Sequence, residues 1–238
     1  MTTLHSTSAK AGIGSKTTKF IGALFLIAMA ASLSGGIIIE SILSSPNYLA
    51  TLSDNKFQLL IGVLLELING IAVVGIGVLM FSILKEYNES MALGYLFFRI
   101  IEAVFCCMIV ITPLSLIKLS QEHLRAGASD LQYFQASGVL SLAERAGIAD
   151  LLIPVFFSLG ALLFYFLLFK SKILPRFISV WGIAAAAAIL VINISAPFQT
   201  DALSTGLFIV LALPIILNEI FLGIWLIIKG FNSKIIAK

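Results

Sequence analysis

Charge is scarce in this sequence. Charged side chains make up 11% of its 238 residues, and histidine and cysteine occur only twice each. A soluble domain carries about 25% charged and 45–50% apolar residues. Here the apolar share is 60% and the mean hydropathy +1.09, which excludes an ordinary soluble domain and points to a bilayer. With only His5 and His123 available, a histidine-built metal centre has too few ligands. HExxH is absent, as are a Ser/His constellation at one membrane depth and a GxGxxG following a strand. No metal and no cofactor are therefore expected. Cys106 and Cys107 are adjacent, a poor geometry for a disulfide on one helix, and no CxxC spacing exists; both read as buried small hydrophobes. The formal charge of +3 gathers in no basic run with exposed aromatics, so nucleic acid is not expected as a partner.

Long apolar runs take the place of charge. They cover 20–39, 57–84, 91–117, 151–169, 174–194 and 203–228. Each has roughly the 20 residues that a helix needs to cross about 30 Å of hydrocarbon. The expected fold class is an all-α integral membrane protein, a six-transmembrane helix bundle with a short amphipathic outer segment between spans three and four. Residues 1–19 form a flexible Ser/Thr/Gly-rich cytoplasmic lead, 20–231 the transmembrane domain and 232–238 a cytoplasmic tail. The runs 70-GIAVVGIG-77 and 184-AAAAA-188 place small residues where helices can approach closely. The 28-AMA-30 stretch imitates a cleavage site, but apolar sequence continues through 37-III-39, as an anchoring span requires.

Basic residues set the orientation. With the first residue inside, ten fall on the cytoplasmic side: Lys10, Lys16, Lys19, Lys85, Lys170, Lys172, Arg176, Lys229, Lys234 and Lys238. Only Lys56, Lys118, Arg125 and Arg145 fall outside, so both termini are expected in the cytoplasm, with the plasma membrane as host. The outer segment 118–150 spaces its apolar residues as one or two amphipathic helices resting on the surface or capping the bundle, with a break at 127-GASD-130. At the inner end, Asn88 is placed to cap span three and Pro175 to sit in the first turn of span five.

Four ionisable residues interrupt the spans: Glu66, Arg99, Glu102 and Glu219. A charge near the bilayer centre costs at least about 2.5 kcal/mol, so such residues turn inward, pair, or line a water-accessible path. Arg99 and Glu102 are three apart and share a helix face. Arginine offers five donors and can bridge two acids. Glu66, Arg99, Glu102, Asn218 and Glu219 therefore form the expected intramembrane polar cluster, with Asn69 and Asn193 as additional lining. Three acids against one arginine leave two uncompensated negative charges, so a proton or a cation must balance at least one. Pro113, Pro154 and Pro214 supply possible kinks nearby. This surplus acid favours small-solute or ion-coupled transport, with the bilayer and a small solute or proton as partners. The alternative is a structural or ligand-sensing module whose buried charges only fix helix packing. An embedded enzyme lacks a catalytic signature, and oligomerisation is left open.

The segments 64-LLELI-68, 85-KEYNESMALGYLFFRIIEAVF-105, 158-SLGALLFYFLLFKSKILPRFISVWG-182 and 213-LPIILNEIFLGIWLIIKGF-231 give the chain a likeness to known sequences. It resembles a family of bacterial six-span membrane proteins designated domain of unknown function 4386. The resemblance runs from Phe20 to Phe231 and implies a small plasma-membrane protein of the Gram-positive type. It carries over no activity, ligand or catalytic residue. It does place Glu66, Asn88, Glu89, Arg99, Glu102, Pro175, Arg176, Asn218 and Glu219 in the family's recognisable motifs.

Overall fold

The computed structural model describes residues 15–126, 131–198 and 205–232, and every regular element among them is helical. In chain order these are α1 (Ser15–Leu43), the single turn α2 (Tyr48–Thr51), α3 (Lys56–Leu84), α4 (Glu89–Met108), α5 (Ile111–Ala126), α6 (Leu131–Gly147), α7 (Ile153–Ser171), α8 (Arg176–Ser195) and α9 (Thr205–Ile228). A π-turn at Ile148–Leu152 joins α6 to α7, and a 3₁₀ turn at Ala196–Phe198 follows α8. Five stretches are long and apolar enough to cross a membrane: Ser15–Leu43, Lys56–Leu84, Glu89–Ala126, Gln132–Ser171 and Arg176–Phe198. A shorter apolar helix, Ala212–Ile228, lies within α9. The chain is a helical membrane protein.

The long helices form a ring closed in chain order. α1 packs on α3, α3 on α4, α4 on α7, α7 on α8, α8 on α9, and α9 returns to α1. Short links force chain neighbours to run antiparallel, and the burial of apolar stripes then fixes each pair. Two glycine crossings bring α1 against both of its partners. A Cβ on Gly22 would sit 2.6 Å from the Gly223 carbonyl oxygen of α9, and one on Gly35 3.1 Å from the Gly62 carbonyl oxygen of α3. Helices associate in lipid largely through such close van der Waals packing. Neither crossing lies in the small-residue runs noted above. From those runs, Gly77 lies against the Arg99 side chain, and Ala185 and Ala186 are buried.

The stretch expected as one third span is two helices. α4 ends at Met108 and α5 restarts at Ile111, which leaves Pro113 in the first turn of the new helix. A proline in a helix interior clashes with the carbonyl four residues back, here Ile109, whereas in a first turn it avoids that clash. The helix that leads out of the third stretch accordingly begins at Ile111. Glu89–Ala126 laid straight would measure about 57 Å, nearly twice the hydrocarbon thickness. α6 packs on α5, and the buried Ser120 hydroxyl on α5 donates to the Leu49 carbonyl of α2. The break anticipated at 127–130 lies outside the described residues, as do the lead up to residue 14 and the tail from 233.

Smaller departures have equally local causes. Asn88 caps α4: its backbone is extended (φ −162°) and its Oδ1 accepts from the Met91 N–H at 2.9 Å. Pro175 is the N-cap of α8 rather than a first-turn residue, with ψ at 132°. Cys106 is buried against α3, but Cys107, one residue round the helix, is exposed.

Candidate functional site

Arg99 projects from the middle of α4 into the ring. Its Nη1 donates to both carboxylate oxygens of Glu102, at 3.1 and 2.9 Å, as their spacing of three on one helix allows. Its Nη2 lies 3.6 Å from Glu219 Oε1 on α9, which joins two helices that are not neighbours in the ring. The Nε donates to the Tyr95 hydroxyl at 3.4 Å, and the guanidinium stands 5.4 Å from the Phe157 ring centroid on α7. Arg99 and Glu102 are buried, Glu219 largely so. A planar fork with five donors suits this arrangement; a lysine ammonium offers no fork.

The group opens on a cavity of about 240 Å³ to which α1, α3, α4, α7, α8 and α9 all contribute. Arg99, Glu102 and Glu219 share its wall with Asn69, Ser32 and Cys106, and the remaining lining is apolar. The cavity is not sealed, and Leu33 on its rim is exposed. Toward the α4 N-terminus an aromatic plug closes the ring. Phe164 stacks on Tyr95 at 5.1 Å and meets Phe25 of α1 at 6.0 Å, and Tyr165 meets Phe164 edge-on at 5.0 Å.

Of the residues singled out in the sequence, Arg99, Glu102 and Glu219 converge, and Asn69 joins them on the cavity, its amide 3.7 Å from Cys106 Sγ. Asn218 and Asn193 turn elsewhere. The Asn218 amide donates to the Ile178 carbonyl of α8 at 3.0 Å, and that of Asn193 to Ile189 on its own helix at 2.8 Å. Glu66 stands apart. It is buried against Gly36 of α1. Arg99 lies level with Gly77 on α3, and the eleven residues from Glu66 to Gly77 amount to about 16 Å.

Tyr95 and Phe157 were not singled out. Tyr95 precedes Arg99 by four residues, a helical neighbour that spacing alone could have flagged; Phe157 left no such signal. Near the site, the hydroxyls of Ser158, Tyr165 and Ser179 and the Asn218 Oδ1 are buried without a hydrogen-bond partner. Among the described residues no three of His, Cys, Asp and Glu converge as a metal would need. The chemistry present is one fixed cation against two carboxylates, in a low-dielectric cavity where charge interactions are strong.

A family model matches residues 20–230, which takes in nearly all of the ring and the site within it. No curated protein and no solved structure matches the chain. By that match over nearly its full length, the chain belongs to the family described as domain of unknown function (DUF4386).

Proposed function

We propose that this protein is a plasma-membrane protein of six spans, with both termini cytoplasmic, that moves a small solute coupled to a proton or cation through the cavity beside Arg99. The observation that carries this reading is the meeting of Arg99, Glu102 and Glu219 on one open cavity lined by every helix of the ring. One guanidinium cannot balance two carboxylates. The surplus negative charge must be met by a proton or a cation, and the apolar remainder of the wall suits the body of a small organic solute. Closure by the aromatic plug on one side is the asymmetry that alternating access requires.

Electrical recording from proteoliposomes on a solid-supported membrane tests this. A pH jump should displace charge in the wild type and much less in a Glu102→Gln/Glu219→Gln double variant. Equal signals from both would defeat coupling at these acids. A second reading rests on the bonding of Arg99, which Glu102, Glu219 and Tyr95 together occupy. In that reading the charges serve only to fix helix positions. It predicts that Ser32→Cys, in a cysteine-free background, stays unreactive to a membrane-impermeant thiol reagent from either side. Transport predicts modification.

A further inference from the structure

At the end of the ring opposite α5 and α6, the α7–α8 link and the end of α9 line a second, open cavity of about 310 Å³. Lys172 and Lys229 line it with Pro175, Trp225, Phe231 and Asn232, and no Asp or Glu does. Neither lysine has an ion pair among the described residues, whereas the adjacent cations Lys170 and Arg176 rest on the rings of Phe166 and Phe169. The cavity is built rather than incidental. The Asn232 N–H donates to the Ile173 carbonyl at 2.9 Å and ties the chain after α9 to the α7–α8 link. Lys172 holds the only positive φ of a described non-glycine residue, 57°, where it ends α7.

Charge counting gives the sign of the occupant. The two lysines bring two positive charges. The C-termini of α7 and α9 subtract about half a charge each, and the N-terminus of α8 at Pro175 adds about half. The cavity therefore carries roughly 1.5 positive charges, more than the single negative charge of one phosphodiester requires. Trp225 and Phe231 supply the amphipathic rings that sit at headgroup level in a bilayer. We infer that this pocket binds a phosphate-bearing anion, and that the headgroup of an anionic phospholipid is its occupant in the membrane. This stands independently of any transport activity.

Thermal melting of the full chain in neutral detergent tests the pocket, with added phosphatidylglycerol, phosphatidylcholine or sodium phosphate. Phosphatidylglycerol should raise the midpoint by several degrees and phosphatidylcholine should not. A Lys172→Gln/Lys229→Gln variant should lose at least half of that rise, while a Lys56→Gln/Lys118→Gln variant at the other end keeps it. If sodium phosphate alone matches the lipid, the anion site stands and its lipid occupant is overturned. An undiminished rise in the Lys172/Lys229 variant, or an equal rise with phosphatidylcholine, overturns the site. So does lysine-dependent co-purification of a protein without any lipid effect. Should the double variant fold poorly, lipid retained by Lys229→Gln in native mass spectrometry gives the same comparison, with undiminished retention overturning the site.

Discussion

Arg145 on α6 donates its Nη1 to the main-chain carbonyl of Ile109 at 2.7 Å. That carbonyl lies four residues before Pro113, which has no N–H to offer it. The arginine thus occupies the acceptor that the proline leaves open, and it pins α6 to the break between α4 and α5. Loss of a charged donor to a part-buried carbonyl costs about 1.5–3 kcal/mol. Arg145→Ala should lower the melting midpoint accordingly, and Pro113→Ala should restore part of the loss by returning the helical donor. Additive losses in the double-variant cycle would show the two residues to be uncoupled.

Removal of Arg99 strands two buried carboxylates, whereas Glu102→Gln leaves the guanidinium its contact with Glu219. Breaking a buried pair from the side that leaves charge unpaired costs about 3–5 kcal/mol. Arg99→Ala should therefore give the lower folded yield in fluorescence-detected size exclusion. An equal or better yield than Glu102→Gln would count against the bridging role.

The glycine crossing between α1 and α9 has no room for a methyl group, because the obstacle to a Cβ on Gly22 is the Gly223 backbone. Gly22→Ala should destabilise by about 1–3 kcal/mol as the helices separate. Gly147→Ala meets nothing within 4 Å and should be neutral or stabilising by up to about 1 kcal/mol. Similar melting curves for the two variants would contradict this packing.

The Tyr165 hydroxyl is buried and makes no hydrogen bond. Tyr165→Phe should leave the melting midpoint unchanged or raise it, since an unmet polar group is removed with its shape retained. Gly182→Ala should lower it, because the new Cβ would overlap the Tyr165 ring. A marked fall for Tyr165→Phe would show that the hydroxyl is satisfied after all.

Sidedness is open to direct measurement in a cysteine-free background. Gln132→Cys on α6 should react with an impermeant maleimide on intact cells, and Glu86→Cys, in the link before α4, only after lysis. The reverse pattern would invert the orientation drawn from Lys and Arg.

Hydropathy located the long helices to within about five residues, the third excepted, because about 20 apolar residues admit few other structures in lipid. The break at Ile109–Val110 was legible only as a possible kink at Pro113, which stands three or four residues after the event it causes. The site was legible where its members share one helix, as Arg99 and Glu102 do. It blurred where depth had to be compared across helices. Glu66 was expected in the cluster, yet α3 and α4 run antiparallel and Arg99 lies level with Gly77, about 16 Å along α3 from Glu66. Asn218 and Glu219, adjacent in sequence, point about 100° apart on α9; one reaches α8 and the other Arg99.

The pairing of Arg99 with Glu102 also bears on how the protein is made. Glu219 follows Arg99 by 120 residues, so the ribosome delivers α4 to the membrane long before α9 exists. An arginine arriving alone would resist leaving the translocon. Because its first partner stands one turn away on the same helix, α4 can partition into lipid as a self-neutralised segment. The later contact with Glu219 then records that the ring has closed, and a chain halted before α9 would keep the internal pair while lacking the cavity.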